Sequence, residues 1–364
     1  RNHEMKNILL LGAGKIGAII TELLSTSNDY QIVVADIDAD NLARLPKHKN
    51  VQTCRIDVSD KQALLKAMQN KFAVLSAMPF QITRQIALAA SEANIHYLDL
   101  TEDVATTQYV KQLAESSSSA FIPQCGLAPG FITIAAYELA KKFDTLQNLH
   151  LRVGALPTYP SNQLKYNLTW STDGLINEYC NPCEAIVEGQ LVQVPPLEEL
   201  DNFSLDGVDY EAFNTSGGLG TLCDTLAGKV SNLNYRTVRY PGHRDIMKML
   251  LQDLRLKDKR PLLKQIMEEA LPITYQDVVL VFVNASGHKD GLLVQESYVN
   301  KIYAKTINGK LWSAIQITTA AGICAVLDLL ATGKLAQQGL IKQEDINFED
   351  FINNRFGNYF GVAA

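Results

Sequence analysis

Several things are scarce in this 364-residue chain, and each shortage excludes a class. Charged residues are only 20% of the sequence, and the formal net charge is −6. With a pI near 5.6, the chain lacks the basic footprint that nucleic acid or an anionic membrane surface demands. Cysteines number six and are scattered: Cys54, Cys125, Cys180, Cys183, Cys223 and Cys324. Only Cys180-Asn181-Pro182-Cys183 is closely spaced, and no second Cys or His pair at ligand spacing accompanies it, so no metal is expected and the thiols read as reduced. Uninterrupted apolar runs of membrane-spanning length are missing, and no secretory signal is recognised. A cytoplasmic protein with no membrane or nucleic-acid partner is therefore expected. Without secretion the sequons at Asn167, Asn202 and Asn214 carry no weight. No repeat or low-complexity linker occurs. Arg1–Glu4, ahead of Met5, read as an extension and are set aside. The length suits two domains with cores that need no staples.

What is present begins at residue 6. Lys6–Leu11 is a short apolar run ending in Gly12-Ala13-Gly14-Lys15-Ile16-Gly17. Ile16, Ile19, Ile20, Leu23 and Leu24 then recur at helical period, and Gln31–Ala35 forms a second apolar run closed by Asp36. This is the dinucleotide fingerprint in its strand–turn–helix–strand setting. Gly12 permits the tight turn, Gly14 lets backbone approach a pyrophosphate, and Gly17 lets helix and strand pack closely. The helix N-terminus presents unpaired N–H groups to the phosphates. Lys15 and Ile16 belong to the same loop. Asp36 suits the ribose hydroxyls of NAD and would repel the 2′-phosphate of NADP. The next residue, Ile37, is no arginine, so NAD is the expected cofactor.

Strand and helix signals alternate onward: strands over 51–58, 72–78, 96–100 and 120–124, with helices over 61–68, 81–93 and 104–116. That predicts a doubly wound parallel sheet. Near Leu149 the pattern changes. Residues 150–158, 164–171, 184–195, 277–286 and 295–306 are strand-like, with helices over 175–179, 244–254 and 261–269, which predicts a second α/β domain on a mixed sheet. Ala314–Ala331 is apolar at helical spacing but interrupted by Thr318, Thr319, Gly322 and Asp328, so it reads as a buried core helix returning to the first domain. The expected domains are 5–130 for the dinucleotide, 131–312 for substrate and dimerisation, and 313–364 for C-terminal helices.

Ligands bind beyond the carboxyl ends of strands in such sheets. Ala77, Met78 and Pro79 would line the cofactor's path, and Asp57 and Val58 the adenine, with a helix cap an equal reading of Asp57. Asp99 and Glu102 are candidate proton-transfer or amine-binding carboxylates, though Thr101 or Asp103 capping the next helix would explain the acidic cluster as well. The turn Gly126-Leu127-Ala128-Pro129-Gly130, preceded by Cys125, offers N–H groups to a carboxylate or to the nicotinamide amide. Ser216–Thr221 is glycine-rich without the lysine of a P-loop.

Gly126–Gly130, then Gly154-Ala155-Leu156-Pro157, Tyr166-Asn167-Leu168-Thr169-Trp170-Ser171 and Thr237-Val238-Arg239-Tyr240-Pro241-Gly242-His243 occur in that order. In these motifs the chain resembles the saccharopine dehydrogenase family, over nearly its whole length. The resemblance implies a Rossmann domain with an inserted substrate and dimerisation domain, hence a homodimer. It also implies hydride exchange between nicotinamide and a nitrogen-bearing carbon of a lysine-derived amino acid. Fungal saccharopine reductases typically carry an arginine where Thr172-Asp173-Gly174 stands and an acid at Ala128. Asp173 suits an ammonium group rather than a carboxylate, which pulls toward lysine 6-dehydrogenase chemistry or toward a bacterial-type saccharopine dehydrogenase with a rearranged site, while a helix cap is an equal reading. Lys165, Tyr166, Arg239 and Arg244 are further candidate substrate contacts, and His243 a candidate proton carrier near neutral pH. The expected activity is NAD-dependent oxidation of saccharopine to glutamate and aminoadipate semialdehyde. The alternatives are deamination of lysine and a non-catalytic NAD-binding assembly protein.

Overall fold

The computed structural model describes residues 4–361, so Arg1–His3 of the extension lie outside the described residues. Two compact units are formed: the segment up to Phe131 together with Thr318 onward, and Ile132–Ile317.

The first unit is built on β1 (Lys6–Leu11), α1 (Lys15–Thr26), β2 (Tyr30–Asp36), α2 (Ala39–Ala43), β3 (Val51–Arg55), α3 (Lys61–Met68), β4 (Ala73–Ser76), α4 (Phe80–Ala93), β5 (His96–Asp99), α5 (Val104–Glu115) and β6 (Ala120–Ile122). Its strands are parallel in the order β6-β5-β4-β1-β2-β3, which places the helices as crossovers. Ile8, Leu9, Leu10 and Leu11 are all fully buried, because helices cover both faces of a central parallel strand and leave no position for a polar residue. Leu9, Leu11, Val74, Ile86, Tyr97 and Phe121 belong to the core on one side.

The second unit starts in α6 (Phe131–Ala140) and continues through β7 (Thr145–Pro157), α7 (Thr172–Cys180), β8 (Cys183–Val187), β9 (Gln190–Val194), β10 (Asp201–Leu205), β11 (Val208–Asn214), α8 (Leu222–Leu226), β12 (Asn232–Arg239), α9 (His243–Lys248), α10 (Arg260–Ala270), β13 (Asp277–Lys289), β14 (Leu292–Tyr303) and the short pair β15 (Lys305–Ile307) and β16 (Lys310–Trp312). The main sheet runs β10-β11-β12-β7-β13-β14, with β8 and β9 attached at β12. β7 and β12 are parallel and the other neighbours antiparallel, so the sheet is mixed. Leu149, Leu151, Val279, Val281, Val283 and Ala285 are buried along it. The predicted strand over 164–171 is absent, with one isolated bridge between Leu168 and Ile273 in its place. β10, β11 and β12 were not anticipated.

The chain then enters α11 (Ala314–Ala331), β17 (Gly339–Leu340) and α12 (Phe348–Asn353). α11 is long and apolar enough to cross a membrane by composition, yet 89% of it is buried within the fold. β17 pairs in parallel with β6 and completes the first unit's seven-stranded sheet. Phe351 and Phe360 pack on Phe131 with ring centroids 5.6 Å and 4.0 Å away. Burial of each such ring stabilises by about 2 kcal/mol.

Candidate functional site

The glycine loop is shaped by what each position excludes. Gly12 has φ +105°, and a Cβ there would stand 2.7 Å from the Ala77 carbonyl oxygen and 3.2 Å from Met78 Sδ. Gly17 packs on the loop so closely that a Cβ would meet Gly12 O at 1.9 Å. At Gly14, by contrast, a Cβ would meet nothing within 4 Å, and Gly14 and Lys15 are exposed. Gly14 is the N-cap of α1 and supplies no capping side chain, so the helix presents its first N–H groups toward that open space. This is a cradle for a pyrophosphate. Ala77 and Met78, which leave β4 and lead into Pro79, are the neighbours that a Cβ at Gly12 would meet. Ser76, the last residue of β4, is buried with an Oγ that has no partner among the described residues.

Asp36 closes β2, as expected, but its oxygens already have work inside the fold. One accepts from Ala13 N–H at 2.8 Å and the other from Asp38 N–H at 2.9 Å, tying the glycine loop to the end of β2. Beside it in register lies Arg55, at the end of β3. Ile37 is exposed and its carbonyl accepts from Arg55 Nε at 2.9 Å. Asp57 and Val58 follow on the β3–α3 loop. Asp57 is exposed and accepts from Ser59 N–H and Oγ at 2.9 and 2.7 Å, which holds its pKa below the usual range. The cap of α3 is Asp60.

Of the predicted proton carriers, two are structural. Asp99 is buried and accepts from Tyr97 Oη (2.6 Å), Thr101 N–H (3.0 Å) and Gln124 N–H (2.9 Å). It staples β5 to the segment after β6, and burial raises its pKa against the pull of those donors. Asp103, not Thr101, caps α5, through Thr106. Glu102 stands half-buried on the same loop. Cys125 is also buried; its thiol donates to Ile122 O at 3.1 Å and burial pushes its pKa up, so it is no substrate contact. The Gly126–Gly130 turn closes on itself. Phe131 N–H donates to Gly126 O at 3.0 Å, and a Cβ on Gly130 would stand 2.0 Å from that same oxygen. Leu127 and Pro129 are buried and Ala128 is half-buried.

The second unit gathers Tyr166, Tyr179, Arg239 and His243 into one buried cluster. His243 Nδ1 lies 2.9 Å from Leu164 O, which only accepts, so this nitrogen carries the proton. Nε2 then accepts from Tyr179 Oη at 2.8 Å, and that oxygen accepts from Arg239 Nε at 3.0 Å. Burial and the Arg239 guanidinium push the His243 pKa down to about 3. The imidazole is neutral throughout the physiological range, which corrects its expected role as a proton carrier. Arg239 lies 3.7 Å from Glu178 and over the ring of Tyr166. Asp173 neither caps α7, a task of Ser171, nor awaits a ligand ammonium: it is paired with Lys264 Nζ of α10 at 2.7 Å. Lys165 Nζ donates to Pro241 O at 2.9 Å. Arg244 donates its N–H to Glu211 at 2.7 Å, and Nη1 to Leu197 O at 3.3 Å. Glu211 also accepts from Gly242 N–H at 3.1 Å, a cap for α9 that no local signal announces.

Two family models cover nearly all of this architecture. The saccharopine dehydrogenase NADP binding domain matches residues 8–124, and the saccharopine dehydrogenase C-terminal domain matches residues 126–358. The chain belongs to the saccharopine dehydrogenase family. Mitochondrial alpha-aminoadipic semialdehyde synthase of Mus musculus is 22% identical over 305 residues, 77% of this chain and 31% of that protein. Saccharopine dehydrogenase [NADP(+), L-glutamate-forming] of Saccharomyces cerevisiae is 25% identical over 202 residues, 52% of this chain and 44% of its own. This chain therefore spans about a third of the length of the mouse relative and under half of the yeast one. The solved apo saccharopine dehydrogenase (L-Glu forming) of S. cerevisiae superposes with a TM-score of 0.78 at 16% identity, covering 95% of this chain and 96% of that one, which establishes a shared fold.

The expected preference for NAD is overturned. The family's nucleotide domain is described as NADP-binding, and the yeast relative is named for NADP(+). Residue 37 holds no arginine, but sheet register brings Arg55 to Asp36 from the next strand, a proximity that the local sequence after β2 does not reveal.

Proposed function

We propose that this chain is an NADP-dependent oxidoreductase that cleaves the C–N bond of saccharopine to give glutamate and aminoadipate semialdehyde. The observation that carries the reading is the open cradle at Gly14 beneath the uncapped N-terminus of α1, in a chain of this family. When bound, NADP+ would supply the hydride acceptor for the carbon that bears nitrogen, and water would then hydrolyse the resulting C=N bond to release glutamate and the semialdehyde. The chain's own part is to hold the pyrophosphate at Gly14–Gly17, to fix the loop through Asp36, and to take a proton from the substrate amine. Among the three predicted carriers only Glu102 is partly exposed, at the carboxyl edge of the sheet, and we assign it that proton. The amine must be neutral before hydride leaves, so activity rises on the alkaline side.

Lysine as the alternative substrate loses its main support here, because Asp173 already holds the ammonium of Lys264. The test is NADPH appearance at 340 nm with NADP+ and saccharopine, and separately with L-lysine. Turnover with saccharopine, cut about 100-fold or more in Glu102→Gln, is expected. Turnover with lysine alone would reassign the substrate. Tight NADP+ binding without turnover of either would favour an assembly protein.

A further inference from the structure

In the first unit the end of β2 carries an acid in the position that ordinarily rejects a 2′-phosphate, and the residue after it, Ile37, has no charge to offset it. Yet Asp36 spends both oxygens on backbone N–H groups of Ala13 and Asp38, which moderates its negative field toward a ligand. Directly beside it, in strand register, stands Arg55. Its Nε donates to Ile37 O at 2.9 Å, and that bond lays the guanidinium across the β2 turn. The two Nη groups have no partner among the described residues, and the side chain is exposed. A guanidinium held by Nε and open at both Nη atoms is the geometry for bidentate phosphate recognition. The other arginine of this corner, Arg44, has its guanidinium bonded to Asn41.

We propose that Arg55 is the specificity-determining residue that accepts the 2′-phosphate of NADP, in place of an arginine after β2. The proposal rests on the reading of this chain as an NADP-dependent enzyme, and it concerns binding rather than chemistry. Ile37 O serves as the fixed point that aims the fork. Because β3 is a strand and Arg55 its last residue, the fork is carried by the sheet.

The experiment is calorimetric titration of the full chain with NADP+, NAD+, 2′,5′-ADP and 5′-AMP, the last two differing only in the 2′-phosphate. Wild-type protein is expected to bind NADP+ and 2′,5′-ADP more tightly than NAD+ and 5′-AMP, with the difference shrinking as salt rises. Arg55→Gln should weaken NADP+ and 2′,5′-ADP about 30-fold or more and leave NAD+ and 5′-AMP within twofold; Arg55→Lys should recover part of the loss. Equal weakening of all four ligands would show that Arg55 only props the Ile37 turn, and would overturn the proposal. So would no change in any of them, or a wild-type protein that binds NAD+ in preference. Failure of the wild-type chain to bind either dinucleotide would instead sink the oxidoreductase reading.

Discussion

A methyl group added at Gly17 would stand 1.9 Å from the Gly12 carbonyl oxygen, whereas one added at Gly14 would meet nothing within 4 Å. Gly14 also has φ −74°, which alanine adopts without strain. Gly14→Ala is therefore expected to fold with its melting temperature changed by no more than a degree or two, and to weaken dinucleotide binding at least tenfold. Gly17→Ala should lose both stability and binding, by about 2 kcal/mol or more of overpacking. Melting curves with and without NADP+ separate the two; a destabilised Gly14→Ala would mean the cradle has a structural role instead. His243 makes a different argument. Its folded pKa, about 3, lies below the ordinary 6.5. The native state refuses a proton that the unfolded chain accepts, so the stability it confers is whole above pH 6.5 and drains away as pH falls toward 3. Over that window the loss is on the order of 4 kcal/mol. Urea midpoints of wild type should fall steadily between pH 6.5 and 4, and those of His243→Gln, weaker at neutral pH, should fall less steeply. Parallel slopes would show that His243 does not titrate as the Arg239 and Tyr179 contacts require.

Elements far apart in sequence are joined by a polar latch in the first unit. Asp328 of α11 accepts from Tyr30 Oη of β2 at 2.6 Å, from Arg355 Nη2 at 2.8 Å and from Asn354 Nδ2 at 2.8 Å, and Arg355 also pairs with Asp29. Asp328 is buried but Arg355 is exposed, and Tyr30 and Asn354 would still donate to the carboxylate, so removing Arg355 costs a solvent-screened amount of about 1–2 kcal/mol rather than that of a fully buried pair. Arg355→Ala should lower the melting temperature by several degrees and speed amide exchange in α12; unchanged exchange there would mean the ring contacts of Phe351 and Phe360 suffice. None of this latch was legible in the sequence, since 298 residues separate Tyr30 from Asp328. What was legible was local. The β1–α1–β2 unit, α3, α4 and α11 declared themselves by period and by glycine spacing. The run at 164–171 has strand composition, but Asn162 Nδ2 donates to Tyr166 O at 2.7 Å and a single bridge at Leu168 ends the pairing. β10 and β11 were missed although Asp206-Gly207 joins them with φ of 53° and 78°, the turn that favours Asp-Gly in a hairpin. The site divides in the same way. The glycine loop could be read directly, whereas the internal partners of Asp99, Asp173 and His243, and the approach of Arg55 to Asp36, depend on the assembled fold.

At the scale of the whole molecule, one edge of the second unit's sheet is unfinished. β14 is twelve residues long and pairs only with β13 among the described strands. Leu292, Leu293, Val299 and Tyr303 are exposed along it. A strand this long, with apolar positions and open N–H and C=O groups, is a liability that folded proteins cover or defend with charge. Lys301 is the one basic residue within it, and it is paired with Asp206 rather than presented to an incoming strand. A second copy of the chain would meet the need through antiparallel pairing about a twofold axis, which would make the contact self-complementary and close the assembly at two copies. The homodimer implied by the family resemblance would then be built on this strand. Light scattering at micromolar concentration should give twice the 40.2 kDa of the chain. Val299→Lys, which places a charge in the middle of the edge, should shift that mass toward the monomer without lowering the melting temperature measured in dilute protein. A wild-type monomer would remove the dimer altogether, and a dimer indifferent to Val299→Lys would move its interface off β14.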